Sequence, residues 1–189
     1  MMKVGLFGSS FDPPHNAHVD IATTATDTIP LDVLYLIPSY LAPLKTHPPE
    51  AAPEHRLAMA HLVAAMRPEW FVLTYEMDQA RIVTSVETVE YMQRQQPDAD
   101  FYLIIGGDQA DQFHQWHDWK RLAGMVQIVC FDRSGSEGNI AISTGMKLIP
   151  FDAPLSSSLV RQTIRTGGCL NTVLPQAIES YIQEHHLYQ

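Results

Sequence analysis

Short apolar runs alternate with longer segments of helical periodicity along most of the chain. The apolar runs predict strands at Lys3–Phe7, Val33–Ile37, Trp70–Tyr75, Phe101–Ile105, Met125–Phe131 and Lys147–Ile149. The segments between and after them predict helices at Pro14–Asp27, Glu54–Met66, Thr84–Gln95, Gln109–Leu122, Ser156–Arg165 and Pro175–Glu184. Strands separated by single helices form parallel βαβ units. The alternation therefore predicts an α/β fold with an open parallel sheet.

Size and composition favour one compact domain over residues 1–189. The 189 residues are 46% apolar, which is enough for one α/β core. No stretch approaches the roughly 20 apolar residues of a membrane helix, and the N-terminus enters a strand without a signal-like leader. We therefore expect no membrane partner and a cytoplasmic location. The net charge of −9 argues against nucleic acid as a partner, and the oligomeric state is left open.

The loop after the first predicted strand carries the strongest chemical signal. It reads Gly8-Ser9-Ser10-Phe11-Asp12-Pro13-Pro14-His15-Asn16-Ala17-His18. Gly8 permits a sharp turn at the strand's carboxyl end, where open α/β sheets bind ligands. With Asp12 as the expected N-cap, His15 and His18 lie on one face near a helix N-terminus. Imidazoles beside free backbone N–H groups make an anion site, so the loop predicts phosphate binding.

This loop resembles the signature G-[GST]-F-D-P-x-H-x-G-H of the nucleotidyltransferases, whose fold is a Rossmann-like open parallel sheet with helices on both faces. In that superfamily the two histidines hold the phosphates of ATP or CTP during nucleotidyl transfer. The resemblance implies that ATP is contacted by Gly8, Ser9, Ser10, Phe11, His15 and His18. Ser9 stands where a second glycine is usual, and Ala17 replaces the glycine of H-x-G-H. Neither change removes a phosphate-binding side chain.

A second segment follows the fourth predicted strand. Ile104-Ile105-Gly106-Gly107-Asp108 resembles the I-I-G-x-D of the adenylyltransferases that act on nicotinate or nicotinamide mononucleotide. Trp116 comes eight residues after Asp108, and in that family a tryptophan of the following helix stacks on the pyridine ring. The resemblance implies an adenosine-side contact from Gly106 and Asp108 and a mononucleotide contact from Trp116. Taken alone, the segment is also compatible with a simple turn, and Trp116 with a core position.

A third segment near the C-terminus, Leu155-Ser156-Ser157-Ser158-Leu159-Val160-Arg161, resembles the family motif I-S-S-T-x-I-R. Serine hydroxyls cap helices whose free amides attract anions, and arginine offers a permanently charged fork. The resemblance implies that the three serines 156–158 and Arg161 hold the β- and γ-phosphates of ATP, and that Arg161 acts in catalysis with His15 and His18.

The same resemblance suggests the mononucleotide side of the site. Lys45 in a proline-rich loop and Arg133 after the fifth strand stand where family members carry basic residues. Where common bacterial members read S-Y-T-x-[DE]-T, this chain has Thr84 in place of tyrosine and Ser85 in place of threonine. Hydroxyls are kept but the aromatic wall is lost, so the preference between nicotinate and nicotinamide is left open. Arg56 is expected on a helix surface.

Together the segments imply an adenylyltransferase of NAD biosynthesis whose partners are ATP and a pyridine mononucleotide. The acceptor phosphate would attack the α-phosphorus of ATP in line and release pyrophosphate, without a covalent enzyme intermediate. Mg²⁺ would bridge the ATP phosphates while largely hydrated, without a dedicated metal site on the protein. The alternatives are a nucleotidyltransferase with another acceptor, such as phosphopantetheine, and a catalytically quiet nucleotide-binding paralogue.

Several other chemistries lose their main support. The chain lacks G-x-x-x-x-G-K-[ST], G-x-G-x-x-G and G-x-S-x-G. His114 and His117 are expected on the surface, because no cysteine or carboxylate set completes a zinc site around them. Cys130 and Cys169 have no C-x-x-C context and are expected to be a core thiol and a surface thiol.

Overall fold

A computed structural model of the protein describes residues 1–132 and 145–189. Its six strands form one sheet in the order β3-β2-β1-β4-β5-β6, and all five pairings are parallel. The strands are β1 (Met2–Ser9), β2 (Val33–Pro38), β3 (Trp70–Val72), β4 (Ala99–Gly106), β5 (Gln127–Asp132) and β6 (Lys147–Pro150). The order reverses between β1 and β4, so the carboxyl ends of these two strands flank a crevice of the kind that binds ligands in open α/β sheets.

The helices of the described residues are α1 (Asn16–Thr28), α2 (Pro53–Ala64), α3 (Tyr75–Asp78), α4 (Ser85–Gln95), α5 (Gly107–Asp111), α6 (Trp119–Met125), α7 (Ser157–Arg165) and α8 (Gln176–Glu184). None of them is long and apolar enough to span a membrane.

Alternating side chains of the strands feed two separate cores, one on each face of the sheet. On β4, Tyr102 and Ile104 pack on the side of α1, α2 and α8, whereas Phe101, Leu103 and Ile105 pack on the side of α4 and α6. This period of two is what a strand buried on both faces requires. The predicted open parallel sheet with helices on both faces is confirmed.

Two predicted elements differ from the structure. The predicted helix Gln109–Leu122 is wrong: α5 ends at Asp111, a 3₁₀ turn covers Phe113–Gln115, and α6 begins only after Asp118, which has a left-handed φ of 48°. The core side chains here recur at every third residue. That spacing is compatible with a 3₁₀ turn followed by a short helix as well as with one continuous helix; the side chains are Phe113, Trp116, Trp119 and Leu122. The strand predicted at Trp70–Tyr75 ends at Val72, and Tyr75 already begins α3.

The start of α1 also corrects the sequence prediction. The N-cap is His15, not Asp12, and the helix begins at Asn16. Asp12 is unavailable as a cap because its carboxylate accepts the backbone N–H groups of Glu50 and Ala51. The serine cap of α7, the buried Cys130 and the exposed Cys169 are confirmed, and Thr84 and Glu87 form a capping box at the start of α4.

Candidate active site

The phosphate-type loop lies at the centre of the sheet's carboxyl edge. β1 ends at Ser9 and β4 ends at Gly106, and the two strands are paired up to Phe7 and Ile104. Their pairing stops there, so the last two residues of each strand, ending in Ser9 and Gly106, border the space between the two strand ends. This is the crevice at which the strand order reverses.

His18 is held in one tautomer by its neighbours. The backbone N–H of His15 donates to Nδ1 of His18 at 3.2 Å, so Nδ1 carries no proton. The ring proton of the neutral imidazole is therefore on Nε2, which lies 3.0 Å from Oγ of Ser9. His18 consequently presents an N–H donor at the carboxyl end of β1.

His15 lies against His18, with ring centroids 3.9 Å apart. Burial lowers the pKa of His15 to about 4, and burial, His15 and Lys45 together lower the pKa of His18 well below 6.5. Both rings are therefore neutral at pH 7 in the free protein. Nδ1 of His15 is buried and has no hydrogen-bond partner among the described residues. Such an atom costs free energy until a partner satisfies it.

Asp12 is the anchor of the loop. Its residue exposure is only 4%, and its carboxylate accepts from Glu50 N–H at 2.8 Å, Ala51 N–H at 3.0 Å and the hydroxyl of Tyr188 at 2.9 Å. Nη1 of Arg161 lies 3.6 Å from the same carboxylate. Asp12 thus ties the loop to the proline-rich segment, the C-terminal tail and α7.

Arg56 reinforces the same junction, and its predicted surface position is wrong. It is 1% exposed and donates to the carbonyl oxygens of Ser10, Ser39, Tyr40 and Ala51. A buried guanidinium requires this degree of hydrogen bonding to offset the loss of its hydration. The residue fixes the backbone of the loop relative to the proline-rich segment.

Arg161 reaches the loop from α7. Its Nη1 donates to the carbonyl oxygen of Asp12 at 2.7 Å, and its Nε donates to Glu50 at 2.7 Å. Glu50 also pairs with Arg165. The guanidinium remains partly accessible, at 17% side-chain exposure. Arg161 therefore places a permanent cation beside the loop. An anionic ligand bound there would also lie near the carboxylate of Glu50.

The three serines at the start of α7 have different contacts. Ser156 caps the helix by accepting from Leu159 N–H at 3.2 Å, and the hydroxyl of Ser157 donates to the Pro13 carbonyl at 3.0 Å. Ser158 lies 3.4 Å from Nη2 of Arg161. Ser156 and Ser157 therefore fix α7 against the loop, and Ser158 faces the guanidinium.

Lys45 is also brought to the loop. Its ammonium donates to Ser10 Oγ at 3.1 Å. Burial lowers the pKa of Lys45, and the carboxylates of Asp12 and Asp108 oppose that shift. The structure thus groups Lys45 with the loop and Arg161, and the carboxylate of Asp108 in α5 interacts electrostatically with the same ammonium.

Gly106 at the end of β4 and Gly107 at the start of α5 pack closely against aspartate side chains. A Cβ on Gly107 would lie 2.2 Å from Oδ1 of Asp132, and a Cβ on Gly106 would lie 2.9 Å from Asp108. The N–H of Gly106 donates to the Gln109 side chain at 3.1 Å. This close packing holds the start of α5 against β4 and β5.

The predicted mononucleotide residues lie on neighbouring elements. Thr84 caps α4 and exchanges hydrogen bonds with Glu87, and Ser85 is the first residue of that helix. Trp116 is half-buried against Phe113, with ring centroids 5.2 Å apart. A bridge between Leu41 and Ile82 joins the proline-rich segment to the chain just before α4. Arg133 lies outside the described residues.

Sequence reasoning missed two further residues beside Arg56. Tyr188 is 7% exposed and bonds to Asp12 across 176 positions of sequence, a contact for which the sequence offers no local signal. Glu76 on α3 accepts from Thr88 of α4 at 2.8 Å, and burial raises the pKa of Glu76 to about 7. The strand predicted at Trp70–Tyr75 runs into the first residue of α3, so nothing in the sequence indicated the short helix that carries Glu76.

Comparisons with known proteins relate the chain to one enzyme family by sequence and to solved structures by fold. Residues 6–163 match the model of the cytidylyltransferase-like family. A probable nicotinate-nucleotide adenylyltransferase of Bacillus pumilus is 34% identical over 190 residues, covering 100% of both chains, and one of Salinibacter ruber is 34% identical over 100% of this chain and 98% of its own. The fold matches that of Plasmodium falciparum nicotinic acid mononucleotide adenylyltransferase complexed with NaAD, with a TM-score of 0.81 and 16% identity over 100% and 98% of the two chains.

Proposed function

The chain belongs to the cytidylyltransferase-like family and, within it, to the nicotinate-nucleotide adenylyltransferases, and on that premise we propose that it transfers AMP from ATP to nicotinate mononucleotide. The products are the dinucleotide and pyrophosphate, which makes the protein an enzyme of NAD biosynthesis.

One observation supports this function above the others: a neutral His18 directs its Nε2–H at Ser9 of the loop, and Arg161 and Lys45 both contact the same loop. Donors and cations that are fixed in place can stabilise a phosphoryl group as charge develops on it. The unpartnered Nδ1 of His15 would donate to a phosphate oxygen in the tautomer that carries the ring proton on Nδ1.

The proposed reaction is an in-line displacement. A phosphate oxygen of the mononucleotide forms a bond to the α-phosphorus of ATP, and the bond from that phosphorus to the bridging oxygen of the β-phosphate breaks. No general base is needed, because the attacking phosphate oxygen is already ionised at neutral pH. His15 and His18 stabilise the transferred group, and Arg161 and Ser158 hold the departing pyrophosphate.

The remaining assignments extend from this centre. In the proposed complex, Gly8, Ser10 and Phe11 lie beneath the triphosphate, and Gly106 and Asp108 contact the adenosine. Ser85 and Trp116 border the mononucleotide. Mg²⁺ enters on the ATP phosphates, which suits a cation that keeps several of its waters. The cytoplasmic location stays a prediction.

The test is an acceptor panel with ATP that follows pyrophosphate release and dinucleotide formation. Nicotinate mononucleotide, nicotinamide mononucleotide and phosphopantetheine are compared side by side. We expect nicotinate mononucleotide to give the highest kcat/KM. Turnover with phosphopantetheine and with neither mononucleotide would contradict the proposed reaction. The absence of turnover with every acceptor would contradict it as well.

Two variants test the residue roles. His18→Ala should lower kcat by about 10²–10³-fold, the usual effect of losing one such donor, whereas His61→Ala on the exposed face of α2 is the matched control. Trp116→Ala should raise KM for the mononucleotide more than KM for ATP. Equal changes in the two KM values would show that Trp116 has a structural role.

A further inference from the structure

Ser9 occupies a distinctive place in the loop. It is the last residue of β1 and is partly exposed at the crevice. Oγ of Ser9 lies 3.0 Å from Nε2 of His18 and 3.4 Å from the backbone N–H of Phe11. Glycine is usual at this position in the signature that the loop resembles. Because glycine has no side chain, a relative with glycine here cannot make these two contacts.

The direction of the hydrogen bonds follows from the tautomer of His18. Nδ1 of His18 accepts from the His15 backbone, so Nε2 carries the ring proton and donates it to Oγ of Ser9. The Phe11 N–H is also a donor. A serine oxygen accepts two hydrogen bonds, and both places are then filled.

The hydroxyl proton of Ser9 is left to donate elsewhere. In residues 1–132 and 145–189, the contacts of Ser9 Oγ are with those two donors, and none of them accepts this proton. Ser10, with Lys45 bonded to it, and the carbonyl of Asp12, with Arg161 bonded to it, lie one and three residues further along the loop. An anion held by these cations would supply the missing acceptor.

We propose that Ser9 is a further catalytic residue, whose hydroxyl donates to an oxygen of the transferred α-phosphate while accepting the Nε2–H of His18. This role rests on the proposed adenylyl transfer. A donor that itself accepts from two N–H groups is polarised toward its own acceptor, because successive hydrogen bonds strengthen one another. The hydroxyl of Ser9 would therefore connect the Nε2–H of His18 to the phosphate oxygen through two consecutive hydrogen bonds.

The experiment compares Ser9→Ala, Ser9→Gly and Ser9→Thr, with Ser180→Ala on the exposed surface of α8 as the matched control. We expect Ser9→Ala and Ser9→Gly to lower kcat by at least about tenfold, with KM for the mononucleotide unchanged. Ser9→Thr keeps the hydroxyl and should retain more activity than either. Ser9→Gly carries the residue usual in the signature, so it keeps the proposal testable if another variant fails to fold.

A double-mutant cycle with His18→Ala tests the linkage. If Ser9 acts through its bond to His18, the Ser9→Ala/His18→Ala variant should lose little more kcat than His18→Ala alone. Losses that multiply would overturn the linkage. A kcat for Ser9→Gly equal to or above that of the wild type would overturn the catalytic role.

Binding of ATP alone, measured by calorimetry with Mg²⁺ and no acceptor, separates this proposal from the proposed function. We expect Ser9→Ala and Ser9→Gly to weaken ATP binding severalfold. If the wild type failed to turn over any acceptor, the proposed function would fall, and this arm would still decide whether Ser9 contacts the phosphates. Unchanged ATP affinity in both variants would refute that contact.

Discussion

Replacing Arg56 by Met removes a buried guanidinium and keeps a side chain of similar length. Arg56 is 1% exposed and donates to four backbone carbonyls, including that of Ser10 in the phosphate loop. The variant leaves those carbonyl oxygens without their donor in a site that methionine keeps closed to water. It also removes a positive charge that interacts with the buried Asp12.

The expected loss of stability is large. A hydrogen bond to a charged group contributes about 1.5–3 kcal/mol, so four such bonds would sum to about 6–12 kcal/mol if they were independent. They are not independent, because one side chain makes all four and the loop can relax once it is gone. Breaking a buried charged network typically costs about 3–5 kcal/mol, which is the loss we expect. That is a large share of the 5–15 kcal/mol stability of a typical protein.

Urea unfolding followed by circular dichroism measures this loss, with Arg94→Met on the exposed side of α4 as the matched control. We expect the control to change the free energy of unfolding by less than about 0.5 kcal/mol. If Arg56→Met also lay within about 1 kcal/mol of the wild type, the carbonyl bonds would carry little net stability. The reasoning from burial would then be refuted.

Three further predictions concern groups around the loop. Tyr188→Phe removes the hydroxyl that donates to Asp12 and should lower the free energy of unfolding by about 1.5–3 kcal/mol in urea; no loss would show that the tail does not secure the loop. Glu50→Gln removes the carboxylate paired with Arg161 and Arg165, so KM for ATP should fall a few-fold in steady-state assays, and a rise would contradict competition between Glu50 and the phosphates. Burial raises the pKa of Glu76 from 4.5 to about 7. The stability that the proton on Glu76 contributes is therefore fully present below pH 4.5 and is lost as pH rises through 7. Glu76→Gln should therefore be more stable than the wild type at pH 8, by at most about 3 kcal/mol, and equal to it near pH 4; a pH-independent difference in thermal unfolding would contradict this assignment.

The parts of the fold that could be predicted are those set by local pattern. The five apolar residues Phe101–Ile105 must be buried on both faces, which requires a central parallel strand. The Gly8–His18 loop could be placed at the carboxyl end of β1 because it follows such a run directly. Residues that act in the loop itself, such as His18, were identifiable from their spacing.

Residues whose role depends on distant backbone could not be found in this way. Arg56 lies in a helical pattern in which a charged residue is expected to face solvent, and only the meeting of two loops creates its four acceptors. Tyr188 is one residue from the C-terminus, where disorder is the usual expectation. The break before α6 was hidden because a spacing of three between core residues fits a 3₁₀ turn as well as a helix.

The electrostatics of the site would divide the proposed binding of a triphosphate between two kinds of group. His15 and His18 are neutral in the free protein because burial lowers the pKa of each, so at pH 7 they can offer hydrogen bonds but no net charge. Positive charge is supplied by Arg161 and Lys45, which enter from α7 and from the proline-rich segment. Asp12 holds this arrangement together, because its carboxylate and carbonyl bind the proline-rich segment, the C-terminal tail and Arg161. Neutral donors at the loop and cations at its border suit a reaction in which negative charge moves from the transferred group to the departing pyrophosphate.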